Sequence, residues 1–142
     1  MRFAFLTVSF AVGLAASAAG QETAPPLPTP DLKPPRSFTI FFDHAGPQIP
    51  EEAQSLLPQV AEIYTRIGYT AIKVECHSDN VASQAINIPL TEDRARRIKT
   101  ELVRYGVPDA AVTAVGLGYS DPVTEETPET AVSNRRCVID LT

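Results

Sequence analysis

Two oppositely charged side chains stand out by type and spacing. Asp79 lies in Val74-Glu75-Cys76-His77-Ser78-Asp79-Asn80, and Arg94 follows fifteen residues later in Leu90-Thr91-Glu92-Asp93-Arg94-Ala95. A carboxylate accepts hydrogen bonds from an ammonium. A guanidinium holds a carboxylate through two parallel bonds, a planarity lysine cannot match. Side by side, the two groups would take a small zwitterion carrying an ammonium and a carboxylate on one carbon. On spacing alone, the plainer reading is an internal ion pair that orders a loop.

The elements that must deliver these groups follow from hydrophobic period and punctuation. Residues 37–43 are short, β-branched and aromatic, which predicts a strand. Residues 51–66 carry Ala53, Leu56, Val60, Ile63 and Tyr64 at helical spacing, with Ile67 next. Glu51 and Glu52 suit the first turn, Gly68 suits the stop, and Pro58 predicts a kink or a broken first turn. Residues 70–76 read as a second strand running into a polar loop over 77–89, with room in that loop for a short turn of helix. Thr91 then reads as an N-cap, placing Arg94 in the first turn of a second helix. That helix has Ala95, Ile98, Leu102 and Tyr105 on its inner face and ends at Gly106 and Pro108. A cation in a first turn opposes the helix dipole, and the same turn offers backbone amides to an anion. Residues 112–117 read as a third strand, 118–134 as a long loop, and 136–141 as a closing strand. The order β-α-β-α-β-β predicts an α+β (α/β sandwich) fold, a four-stranded mixed sheet with two main helices packed on one face.

Ahead of this lie two other compositions. Residues 1–20 read as an export signal: Arg2, an apolar run over 3–16, then Ser17, Ala18, Ala19 and Gly20. No cysteine near that boundary offers a lipid anchor. Residues 21–36 hold six prolines and read as a semi-rigid spacer. The formal charge of the chain is −5. An acidic chain is poorly suited to nucleic acid, whose binding rests on lysine and arginine neutralising phosphates. Beyond residue 20 no apolar run is long enough to cross a membrane.

Together, Phe41-Phe42-Asp43, His77-Ser78-Asp79-Asn80, Asn87 with Leu90-Thr91-Glu92-Asp93-Arg94-Ala95, Gly116-Leu117-Gly118-Tyr119-Ser120-Asp121-Pro122-Val123 and Asn134-Arg135-Arg136 resemble, in order and spacing, the OmpA-like C-terminal domain family. The resemblance covers residues 37–142. It implies a non-catalytic, cofactor-free module that binds the peptide stem of peptidoglycan, with Asp79 and Arg94 gripping meso-diaminopimelate. It also implies an exported, periplasmic location, associated with the wall or outer membrane. Around that pair, Asn87 is a loop brace or a second ligand contact, Ser78 bonds the loop backbone or the ligand, and one of Arg135 and Arg136 lines the groove or both are solvated edge charges. Thr91 stands at the family's cap position. Cys76 and Ala82 occupy places where the family has glycine, adding side chains near the site. The alternative is therefore a degenerate domain acting as a protein–protein interaction module on other envelope proteins.

His44 and His77 have no cysteine or histidine at metal spacing, so no metal site is expected. Glu125, Glu126 and Glu129 read as a solvated acidic patch. Cys76 and Cys137, the two cysteines, both fall in predicted strands. An even count in an exported chain raises a disulfide. With strand order unreadable, two buried thiols are slightly favoured over that bond.

Overall fold

A computed structural model of the protein describes residues 35–43, 46–125, 127 and 131–142. The expected export signal, almost all of the proline-rich spacer, His44, Glu126 and Glu129 lie outside the described residues. Four strands, β1 (Ser37–Phe41), β2 (Ile72–Cys76), β3 (Val112–Gly116) and β4 (Arg136–Leu141), form one sheet in the order β1-β4-β2-β3. β2 and β3 are parallel, and β4 runs antiparallel to both β1 and β2. The chain's last strand thus inserts between the first two.

Helix α1 (Glu51–Ile67) connects β1 to β2, and α2 (Gln84–Arg104) connects β2 to β3. Strand residues alternate faces. Ile72, Val74 and Cys76 of β2 and Cys137, Ile139 and Leu141 of β4 point one way. They join Leu57, Val60 and Ala61 of α1 and Ala95, Ile98 and Leu102 of α2 in one apolar core. The inner faces are shifted slightly from expectation. Leu57 and Ala61 are core while Leu56 is partly buried, and Ile67 and Tyr105 are exposed because each stands at its helix's last turn or cap.

Helix α1 is continuous through Pro58, so the expected broken first turn is not found. The carbonyl that loses its donor there belongs to exposed Gln54, where water can serve it. The larger difference concerns α2. It begins at Gln84 behind Ser83, and Thr91 is not its cap. Pro89 lies within two turns of the start, where one lost bond interrupts least. The mixed polar run Gln84-Ala85-Ile86-Asn87-Ile88-Pro89-Leu90 conceals two turns of helix. The long loop after β3 also contains a short helix, α3 (Ala131–Asn134).

Helix α2 lies very close to β3. A Cβ on Gly116 would stand 2.6 Å from the Thr91 carbonyl carbon and 2.7 Å from Glu92 Cα, and closer still to the Glu92 amide. All three are backbone atoms that cannot swing aside. Gly116→Ala is therefore expected to destabilise the fold by about 2–3 kcal/mol or more through overpacking, read as a fall in the urea midpoint. An unchanged midpoint would show that the helix can move off the sheet at little cost.

Candidate functional site

The ends of β2 and β4 and the loop after β3 are tied together by backbone bonds. His77 N–H donates to Arg136 O (2.7 Å), Ser78 N–H to Gly118 O (2.6 Å) and Leu117 N–H to Cys76 O (2.9 Å). His77 Nδ1 lies 2.8 Å from Ser120 O. Asp79 is thereby carried just beyond the sheet, at the mouth formed by these segments. Asn87, buried on α2, donates through Nδ2 to Asp79 O (3.0 Å) and Ala82 O (2.9 Å). It is a brace of the loop. Ser78 is buried and is held through its backbone amide. Thr91 Oγ1 donates to Asn87 O (2.8 Å) and accepts the Gly118 N–H (3.0 Å), pinning the loop after β3 to the side of α2.

The Asp79 carboxylate is taken by Arg135, whose Nη1 donates to Asp79 Oδ2 at 2.7 Å. The same guanidinium donates from Nε to Phe42 O (3.0 Å) and from Nη2 to Asp43 O (3.3 Å). Phe42 N–H in turn donates to Arg135 O (2.8 Å), extending the β1–β4 ladder by one rung. The Asp79 and Arg135 side chains keep 12% and 16% of their surface.

Arg94 stands three turns into α2 and is fully enclosed. Its Nε donates to Gly46 O (3.1 Å), and its guanidinium carbon lies 4.3 Å from the centre of the Phe42 ring. Burial first, and then the nearby positive charge of Arg135, push its pKa down to about 10 against the opposing Asp79 carboxylate. The three groups therefore share one electrostatic site, with two guanidiniums facing one carboxylate. Two expectations are corrected here. Arg94 is not in a first turn, so α2's terminal amides do not surround it. Nor do Asp79 and Arg94 flank an open gap, because Arg135 fills the place beside Asp79, while the Phe42 ring and the Gly46 carbonyl lie against Arg94.

Of the two arginines at the start of β4, Arg135 thus joins the site. Arg136 turns to the loop after β3 and donates from Nη2 to Asp121 O (3.0 Å). Glu125 is exposed. Phe42, as platform and backbone partner, is the site member not singled out from sequence; its signal was Phe41-Phe42-Asp43 at the end of an apolar strand. Cys76 and Cys137 are register partners on adjacent antiparallel strands, with Cα atoms 4.0 Å apart, and they form a disulfide. The expectation of two free thiols is overturned because β4 pairs directly with β2. The Cys76 side chain points into the core and adds no bulk to the charged mouth.

A two-layer α+β domain with an acid–base cluster at the end of its central strands defines the class. Residues 41–136 match the OmpA family, and the chain belongs to that family. It is 32% identical over 115 residues to an outer membrane protein of Gluconacetobacter diazotrophicus, covering 76% of this chain and 30% of that one. It is 32% identical over 101 residues to the peptidoglycan-binding protein ArfA of Mycobacterium tuberculosis, covering 70% and 31%. The crystal structure of the peptidoglycan-associated lipoprotein from Burkholderia pseudomallei superposes with a TM-score of 0.68 at 27% identity, covering 76% of this chain and 91% of that one. The chain thus spans about a third of the two full-length relatives and most of the solved domain. Among the described residues no helix is long and apolar enough to cross a membrane.

Proposed function

We propose that this domain is a non-catalytic, exported module that binds the diaminopimelate-bearing stem peptide of peptidoglycan in the periplasm. In this reading residues 1–20 are the export signal, 21–36 the spacer, and 37–142 the binding domain. The observation that carries it is the gathering of Arg94, Arg135 and Asp79 at one end of the sheet, mostly withdrawn from water. A guanidinium holds a carboxylate through parallel charge-assisted bonds, and the free carboxylate of the diaminopimelate side chain supplies one. The ammonium on the same carbon supplies the cation for Asp79. Binding is then an exchange of partners. The ligand ammonium takes the Asp79 oxygen that Arg135 holds, and the ligand carboxylate takes the guanidinium so released, with Arg94 behind it.

The kinship to a protein named for peptidoglycan binding supports this reading, as does the likeness to a peptidoglycan-associated lipoprotein. Calorimetric titration with a stem peptide containing meso-diaminopimelate tests it, with the lysine-containing peptide as control. Lysine keeps the ammonium and lacks the carboxylate. Saturable binding of the first, weakened at least about 30-fold for the second, is expected from loss of a charge-assisted bidentate contact of ~2 kcal/mol or more. Equal binding of both, or of neither, would remove the proposed recognition and leave the envelope-protein interaction module as the reading.

A further inference from the structure

The disulfide sits at a particular rung of the sheet. Cys76 is the last residue of β2, and its register partner Cys137 is the second residue of β4. One rung further on, His77 N–H donates to Arg136 O. Asp79 is three residues beyond one cysteine, and Arg135 is two residues before the other. The two site residues joined at 2.7 Å are therefore carried on the two strand ends that the disulfide locks together. Past this rung β2 has left the sheet, and Asp79 rests on loop bonds. Antiparallel ends fray when only backbone bonds hold them.

We infer that the Cys76–Cys137 bridge is a positioning device for the binding site: it fixes the β2 and β4 ends so that Asp79 and Arg135 keep one mutual geometry. A covalent cross-link one rung before the strands part limits the splaying freedom of both ends, and preorganised charges lose less on binding. Both sulfurs are completely buried, so the bridge is a permanent lock and not a surface thiol pair open to exchange. The inference rests on the peptidoglycan reading for its affinity arm and stands apart from it for its structural arm.

The test uses the oxidised chain and Cys76→Ala/Cys137→Val, which keeps both positions apolar, at 10 °C. Two signals are read without ligand. The Arg135 Nε–H proton resonance should be single and slowly exchanging in the oxidised protein and broadened or exchanging at least tenfold faster in the variant. The His77 amide in the oxidised protein should exchange only through global unfolding; fast local exchange there overturns the inference even if the variant fails to fold. With the diaminopimelate peptide, the folded variant should bind about tenfold more weakly. A folded variant with the same Arg135 signal and the same affinity overturns the positioning role. If the oxidised protein itself does not bind the peptide, the peptidoglycan reading fails, while the resonance and exchange measurements still decide the role of the bridge.

Discussion

Arg94→Met is expected to abolish retention on purified sacculi while leaving the melting temperature within about 5 °C of the parent. The guanidinium is fully enclosed between α2 and Phe42, and burial, with Arg135 nearby, has already lowered its pKa to about 10. Its charged form is therefore held at a cost the fold must offset. Methionine has similar reach, packs its sulfur against the Phe42 ring, and removes that cost. Against it stands the lost bond to Gly46 O, about 1 kcal/mol net. Replacing buried charges by apolar side chains of similar volume is often neutral or stabilising. The binding loss should be large, because truncating one partner of a buried charge pair costs ~2–5 kcal/mol, or about 30-fold and upward. Co-sedimentation with sacculi and a thermal melt read the two quantities separately. Full retention on sacculi by a folded Arg94→Met would remove Arg94 from recognition.

Asp79→Ala should do both kinds of damage. It removes the carboxylate that Arg135 bonds and whose charge opposes the lowering of the Arg94 pKa. Two guanidiniums then face each other with little exposed surface. Breaking one side of a buried pair typically costs about 3–5 kcal/mol, which for a domain near 100 residues lowers the melting temperature by roughly 10–30 °C. Sacculus binding should be lost together with stability. Adding Arg94→Met to Asp79→Ala should recover part of the stability, because one of the two buried cations is gone. That non-additivity is the signature of a shared electrostatic site. An Asp79→Ala protein melting like the parent would mean the Asp79–Arg135 bridge contributes nothing, as exposed bridges often do.

These two results would separate roles that looked alike from sequence. Asp79 and Arg94 first read as equal jaws of one cleft. In the folded chain Asp79 is a structural partner of Arg135 at the mouth, and Arg94 lies deeper. Their difference depends on Arg135, which is fifty-six residues from Asp79 in the chain and is brought beside it by β4 pairing with β2. Local signals do not carry such pairings, since side-chain period reports which face a residue takes and not which strand it meets.

What the sequence by itself determined is substantial: the β-α-β-α-β-β order, the inner faces of most elements, the bounds of β4, and the residue types of the charged cluster. Each of these is a short-range property, set by alternation, helical period and turn residues. Tertiary structure decided the rest. Strand order brought Cys76 to Cys137 and Arg135 to Asp79. The docking of α2 on β3 let Thr91 serve Gly118, and α2 starts more than a turn ahead of Pro89. Contacts made far apart in the chain overrode the local preference of proline and threonine, because the burial they bring outweighs the one or two backbone bonds at stake.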